Sequence, residues 1–291
     1  MGTETRYMSE KTAEKITIHT LAEKKSRGEK ITSVTTYDYP SALLADQAGV
    51  DIALAGDTAS MVVAGRRNTL EATLEEMLYH TRAARAGIER ALLVADMPFG
   101  SYHVSEADSV RNALRLVKEG GAEAVKLEGG RKQAPLVERL VQAEIPVMGH
   151  IGLTPQALHM LGGYRVQGKT LKAGHTLLDD ARALAAAGAF AVVLEGMPRE
   201  IAAWITRQID IPTIGIGAGP DCDGQILVWH DLLGLTPHLK PKFVRRYADL
   251  TGEIRRALGA YVADVRSGRF PGDEESYHLP AAEQSKLLIT R

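Results

Sequence analysis

Eight short apolar runs recur along this chain, at 31–37, 52–56, 91–95, 123–127, 145–149, 190–194, 211–216 and 225–229. Helical periodicity fills most of the gaps between them. Runs of this length, rich in Val, Ile, Leu and Ala, read as strands buried on both faces. The helical pattern is clearest at 70–86, 105–119, 132–143, 177–187 and 198–208. Ser105 with Asp108 three residues on resembles a capping box. Gly87, Gly120, Gly121 and Gly188 stand just past helix ends, where a left-handed cap is wanted. Strands alternating with helices, with no break in composition, favour a closed (β/α)8 barrel, with a doubly wound open sheet as the second choice.

Size agrees, because such a barrel takes about 250 residues and this chain has 291, of which 45% are hydrophobic. The reading is one barrel domain over 16–268, entered by a short helix near 21–25 and closed by a C-terminal helix over 241–268. Residues 1–15 form a loose polar segment in this reading, and 269–291 a polar tail.

The net charge is −1 and the basic residues are dispersed, which excludes the electrostatic footprint of a nucleic-acid binder. Cys222 is the one cysteine, so no intrachain disulfide or Cys-based metal cluster can form, as suits a reducing cytoplasm. The first residues lack the apolar core of a signal peptide, and Arg6 stands where a myristoylation signal needs Ser or Thr. No apolar run is long enough for a bilayer. The expectation is a soluble cytoplasmic protein.

In a (β/α)8 barrel the chemistry sits at the C-terminal ends of the strands. Here Asp57 closes Ile-Ala-Leu-Ala-Gly, Asp96 closes Ala-Leu-Leu-Val-Ala, and Glu128 closes Ala-Val-Lys-Leu. Each alone could be a turn or capping residue. Together, on neighbouring parallel strands, they would point into one place. Like charges so close raise one another's pKa unless a cation holds them. An all-oxygen site of this kind suits Mg²⁺ better than zinc or copper.

Lys126 lies two residues before Glu128 and shares its face. It could hold a substrate carboxylate, or simply pair with the acids. His150 ends Pro-Val-Met-Gly-His and reads equally as a ligand-binding or a packed histidine. Glu195 closes Phe-Ala-Val-Val-Leu and could serve as a general base, or as another capping acid. Two glycine-rich stretches look more informative than they are. Gly163 to Thr170 matches G-x-x-x-x-G-K-T, but no strand precedes it and Gly174 would interrupt the required helix. A lid over the barrel mouth is the better reading. Gly215-Ile-Gly-Ala-Gly219 is followed by Pro220 and Asp221 where a phosphate-binding helix should begin.

Taken in order, these segments resemble the ketopantoate hydroxymethyltransferase family from about Ile16 to His278. The most specific blocks are Thr35-Thr-Tyr-Asp38, Asp96-Met-Pro-Phe-Gly-Ser-Tyr102, Ala124-Val-Lys-Leu-Glu-Gly-Gly130 and Gly149-His-Ile-Gly-Leu-Thr-Pro-Gln156. Gly162-Gly-Tyr-Arg-Val-Gln-Gly-Lys169, Val193-Leu-Glu195 and Ile214 to Gln225 complete the set. The resemblance implies a phosphoenolpyruvate/pyruvate-type barrel and a Mg²⁺-dependent aldol-type step of pantothenate synthesis. Asp57 and Asp96 would hold Mg²⁺, with Glu128 in its coordination sphere. Asp57, Thr58, Asp96, Lys126 and His150 would form the substrate site. Glu195 would take a proton from 3-methyl-2-oxobutanoate, and the resulting enolate would attack the one-carbon unit of methylene-tetrahydrofolate. Ring-based homo-oligomers, typically decamers, are implied as well. One departure stands out: Gly56-Asp-Thr-Ala-Ser60 replaces the family's usual Gly-Asp-Ser-Leu-Gly, keeping the hydroxyl at Thr58 but adding a methyl, and losing the last glycine. A carbon–carbon lyase or decarboxylase on the same barrel, or a nucleotide-binding protein built on Gly163 to Thr170, are the alternatives.

Overall fold

The computed structural model describes residues 14–236 and 241–287. Most of the loose segment expected over 1–15, and the end of the tail, lie outside the described residues. Eight strands form: β1 Ile31–Thr35, β2 Ile52–Ala55, β3 Leu92–Asp96, β4 Ala124–Glu128, β5 Val147–Gly152, β6 Ala191–Glu195, β7 Thr213–Ile216 and β8 Gly224–Leu227. Each pairs in parallel with the next, and β8 with β1, so the barrel is closed and the open sheet is ruled out. The helices are α1 Ile18–Arg27, α2 Tyr39–Gln47, α3 Ala59–Val62, α4 Leu74–Arg85, α5 Glu106–Lys118 and α6 Ala134–Gln142. They continue with α7 Leu158–Leu161, α8 Leu171–Ala186, α9 Arg199–Gln208, α10 Trp229–Leu232, α11 Leu250–Arg266 and α12 Ala281–Leu287.

Alternation along the strands decides what goes where. Ile52 and Leu54, Leu92 and Val94, Ala124, Met148, Ala191 and Val193, Ile214 and Ile226 share one cluster inside the barrel. The intervening Ala95, Val125, Leu127, Val147, Ile151, Val192 and Leu194 pack in a second cluster with helix residues such as Leu116, Leu140 and Leu184. Each such side chain contributes roughly 1.5–3 kcal/mol when fully buried. Counting onward by twos, the next inward positions are Asp96, Lys126, Glu128, His150 and Glu195. The apolar interior therefore ends, strand by strand, in a polar layer at one mouth. Ile16, just before α1, and Leu21, within it, join the inner cluster.

At the other end of β2, Asp51 is 2% exposed and lies within 2.7 Å of Lys24 Nζ and 3.3 Å of an Arg90 guanidinium nitrogen. Its second oxygen accepts from Thr32 N and Oγ1. Burial raises its pKa, but the Lys24 and Thr32 hydrogen bonds outweigh burial and hold it below the usual value. A carboxyl with a depressed folded pKa stabilises the fold above its unfolded pKa of about 3.9 and loses that contribution as pH falls through the folded value. Asp51→Asn is therefore expected to cost about 3 kcal/mol near neutrality, with the gap to wild type narrower by about 1 kcal/mol at pH 3, where the unfolded carboxyl is already largely protonated. Denaturant unfolding at both pH values checks this, and an equal gap at the two would refute it.

Several boundaries differ from expectation. The acids Asp96, Glu128 and Glu195 are the last residues of their strands, not the first residues after them. β5 runs on through Gly152, so His150 lies within it. Helix α2 has no apolar stripe to announce it, but Asp38 caps it reciprocally with Ser41, and Pro40 stands in its first turn. Helix α8 starts at Leu171, not near 177, and Gly174 lies inside it: a Cβ there would come within 2.7 Å of Ile201 Cδ1. Gly121 and Gly188 take the left-handed conformation, whereas Gly87 and Gly120 do not. The helix expected over 241–268 begins only at Leu250, capped by Asp249, and the expected tail contains α12. No residue of α11 is buried, and its Ile254, Leu258, Tyr261, Val262 and Val265 form one exposed stripe.

Candidate active site

The polar layer surrounds one cavity, open at the C-terminal ends of the strands. Asp57, Thr58, Asp96, Lys126, Glu128, His150 and Glu195 all line it, with Thr35, Pro155 and an apolar floor that includes Leu54, Val193, Ile216 and Ile226. Every site residue expected from the sequence is thus brought to one place. Strand register explains it, because Asp96 pairs with Lys126, Glu128 with His150, and Gly152 with Glu195. Gly152 has φ +97°, and a Cβ on it would come within 2.2 Å of the Glu195 carbonyl oxygen. Only glycine lets β5 approach the end of β6 so closely.

Charges in the cavity are layered. Lys126 Nζ lies 2.5 Å from Asp96 Oδ1, and both side chains are under 10% exposed. Burial disfavours the ammonium, yet Asp96, Glu128 and Asp57 around it push its pKa above the usual lysine value. Asp96 Oδ2 accepts from the backbone N of Asp57 at 3.0 Å. His150 stands between two carboxylates, with Nδ1 3.3 Å from Glu128 Oε1 and Nε2 3.1 Å from Glu195 Oε2. Neither contact has full hydrogen-bond geometry. Burial and Lys126 oppose protonation of the ring, but the two glutamates outweigh them and push its pKa up to about 9. Asp57 is the least comfortable group: burial first, then Asp96 and Glu128, hold its carboxyl well above the usual range.

Gln156, Tyr102 and Tyr37 lie in the blocks that carry the resemblance, but the sequence assigns none of them a role. Gln156, 6% exposed and just past β5, donates from Nε2 to Asp57 Oδ2 at 2.8 Å and to the Met97 carbonyl at 3.0 Å. Its backbone N donates to Glu128 Oε2 at 2.9 Å, and its Oε1 accepts from the Tyr102 hydroxyl at 2.5 Å. One residue, its side-chain amide steadied by Tyr102, thus ties Asp57 to Glu128. On the other side the Tyr37 hydroxyl and Thr58 Oγ1 are 2.7 Å apart, so the hydroxyl kept at position 58 has a fixed direction. Ser60 Oγ donates to the Asn68 carbonyl at 2.9 Å, and Ser60 does not line the cavity. The lost glycine therefore does not narrow the pocket.

Could these groups hold a metal ion? Among the described residues, no three His, Cys, Asp or Glu side chains already converge as a ligand set. Gln156 occupies one oxygen of Asp57, and His150 faces one of Glu128. Mg²⁺, however, commonly binds through one or two carboxylates and keeps several waters. Four carboxylates set against Lys126 and His150 leave surplus negative charge, and Asp57 and Asp96 are already linked. That donor set fits a hard divalent ion on Asp57 and Asp96.

The Gly163 to Thr170 segment lies outside this cavity. Helix α8 does follow it directly, against the expectation that Gly174 would break the helix. What precedes it is α7 and a left-handed Gly162, not a strand, so the phosphate-loop context is absent.

Comparison with known proteins covers almost the whole chain. The family model described as ketopantoate hydroxymethyltransferase matches residues 15–273. The 3-methyl-2-oxobutanoate hydroxymethyltransferase of Koribacter versatilis (strain Ellin345) is 56% identical, over 95% of this chain and 94% of that protein. The protein of the same name from Carboxydothermus hydrogenoformans is 55% identical, over 91% and 96%. Among solved structures, 2,3-dimethylmalate lyase, a PEP mutase/isocitrate lyase superfamily member, superposes with a TM-score of 0.55 at 17% identity, covering 94% of this chain and 98% of that one. At that identity the superposition speaks for the fold alone.

Proposed function

The chain belongs to the ketopantoate hydroxymethyltransferase family and is a hydroxymethyltransferase acting on 3-methyl-2-oxobutanoate; on that premise we propose that the cavity at the barrel mouth is its active site. The supporting observation is that inward carboxylates from β3, β4 and β6, and the one just past β2, share one small cavity with a single lysine and a single histidine. We further propose that methylene-tetrahydrofolate is the one-carbon donor and 2-dehydropantoate the product.

Asp57 and Asp96 would hold Mg²⁺, with Glu128 behind them. A divalent ion there would polarise the 2-oxo group and acidify the adjacent C–H, which a carboxylate base is too weak to deprotonate unaided. The chain's own residues supply the rest. The Lys126 ammonium, kept protonated by its acids, meets the substrate carboxylate. Thr58, aimed by Tyr37, offers a hydrogen bond to a substrate oxygen. Glu195, the most open of the carboxylates, removes the proton from C3. The carbanion then forms a carbon–carbon bond to the donor's methylene carbon as its carbon–nitrogen bonds to the folate break, and water supplies the hydroxyl.

The relatives' shared name supports transfer over the lyase or decarboxylase alternative. We place the enzyme in the cytoplasm, consistent with a single buried free cysteine and, among the described residues, no helix long and apolar enough to cross a membrane. The domain reading stays one catalytic barrel over 16–268. A homo-oligomer, decameric by resemblance, would give the exposed stripe of α11 a partner.

The direct test is to incubate 3-methyl-2-oxobutanoate with methylene-tetrahydrofolate and the protein, with and without EDTA. Folate-dependent 2-dehydropantoate that disappears on chelation and returns with added Mg²⁺ is the expected result. Equal turnover in EDTA would remove the metal from the scheme, and no product at all would remove the scheme.

A further inference from the structure

The cavity has room for a small 2-oxo acid, but the pterin, benzoyl and glutamyl parts of the donor must lie on its rim. One stretch of rim differs from the rest. The chain from Leu158 to Lys172, from beyond β5 into the first turn of α8, is anchored by Gln167, whose backbone N donates to the Gly196 carbonyl at 2.8 Å, one residue past Glu195. From there it reaches across the barrel. The Tyr164 hydroxyl lies 3.9 Å from Met61 Sδ, on the short helix that follows Asp57 and Thr58. β6 and β2 are on opposite sides of an eight-stranded barrel, so this segment crosses the mouth as a strap. Burial, then Asp57, Glu195 and Glu128, push the Tyr164 phenol's pKa up, which places the ring within the field of the acids below.

The strap's outer surface combines two chemistries. Met160 is 90% exposed, Tyr164 51% and Val166 48%, an apolar and aromatic surface left open beside a catalytic cavity. Interleaved with them are Arg165, Lys169 and Lys172, all exposed, and none of the three forms an ion pair among the described residues. No Asp or Glu occurs from Ile145 to Leu178 to neutralise them. A second exposed apolar stretch, Phe99 and Val104 after β3, has no Lys or Arg between Met97 and Ser105 and leads into Glu106 and Asp108. An aromatic ligand with an anionic tail would be drawn to the strap and repelled from the stretch after β3.

We propose that the strap Leu158–Lys172 is the seat of the folate co-substrate, with Tyr164 packing against its ring system and Arg165, Lys169 and Lys172 pairing with its glutamyl carboxylates. This rests on the reading that methylene-tetrahydrofolate is the donor. It makes the strap responsible for donor affinity and for a preference for longer glutamyl tails.

The test compares the mono- and triglutamyl forms of methylene-tetrahydrofolate with wild type, Tyr164→Ala and the triple variant R165S/K169S/K172S. Each donor KM is read relative to the 3-methyl-2-oxobutanoate KM of the same protein. The triglutamate adds two carboxylates to the two of the monoglutamate, and two further exposed ion pairs correspond to a preference of roughly two- to thirtyfold for the triglutamate in wild type, weakening with salt. The triple variant is expected to lose that preference, and Tyr164→Ala to raise the relative KM of both forms by roughly tenfold. Equal KM values for the two forms in wild type, or an undiminished preference in the triple variant, overturns the cationic seat. A relative KM unmoved by Tyr164→Ala overturns the aromatic one. These outcomes are distinct from failure of the donor assignment, which would show as no folate-dependent product from wild type.

Discussion

Replacing Asp57 by Asn is expected to lower turnover by on the order of 10³-fold or more, because the carboxylate proposed to grip Mg²⁺ is removed. In the metal-free protein the same change should stabilise the fold. Asp57 is 4% exposed, and its carboxyl is held well above the usual range by burial and by Asp96 and Glu128. A neutral amide of the same shape removes that repulsion. Its oxygen can still accept from Gln156 Nε2, and the Asp57 backbone N, which donates to Asp96, is untouched. Relief of about 1–2 kcal/mol is the expected scale. Mg²⁺ reverses the ranking: an ion that binds only the folded wild type adds about 2.7 kcal/mol at a hundred times its Kd, and the variant gains little. Melting temperatures with and without Mg²⁺ would show the crossover. A variant that is less stable than wild type without metal, or that keeps the full Mg²⁺-induced rise, would mean that Asp57 is a structural residue and not a metal ligand.

The trade between stability and chemistry at Asp57 also shows why this site was legible before the structure. A buried apolar interior built on alternate residues has no structural use for an acid at its last inward position, so Asp96, Glu128 and Glu195 stand out against Val94, Ala124 and Val193. The same alternation made the eight strands readable and, with helices between them, the barrel. What stayed hidden lacked a periodic or charged signature. Gln156 is a neutral residue in a short turn after Pro155, and only its three-dimensional position gives it Asp57, Glu128 and Tyr102 as neighbours. The sequence pattern ends β3, β4, β5 and β6 too early, because a polar residue usually marks the end of a strand and here it is still paired in one. It hides the start of α8 because Gly174 looks like a helix breaker, whereas in the fold it is a contact surface for Ile201. Helix α11 follows the helical period yet buries nothing within this chain, so a sequence pattern can announce an apolar stripe without revealing what covers it.

The cavity leaves few choices for the group that removes the substrate proton. Lys126 is held as a cation by Asp96 at 2.5 Å, with its pKa raised, so it cannot accept a proton near neutrality. His150, pushed up to about 9 by the two glutamates that flank it, already carries its proton at pH 7. Asp96 and Glu128 each have oxygens committed, to Lys126 and the Asp57 backbone N in one case and to the Gln156 backbone N in the other. Glu195 remains. Its side chain is 15% exposed against 5% for that of Glu128, and the protonated His150 beside it at 3.1 Å can steady its orientation. Glu195→Gln keeps size and shape, and its amide oxygen can still face the His150 Nε2. The variant is therefore expected to bind 3-methyl-2-oxobutanoate and Mg²⁺ within a few-fold of wild type while losing roughly 10²–10⁴-fold of the proton-transfer rate. Deuterium exchange from solvent into C3 of the substrate, measured without folate, isolates that step from carbon–carbon bond formation. Exchange at the wild-type rate in the variant would show that another group takes the proton, and a loss of substrate binding to match the lost exchange would show that Glu195 positions the substrate instead.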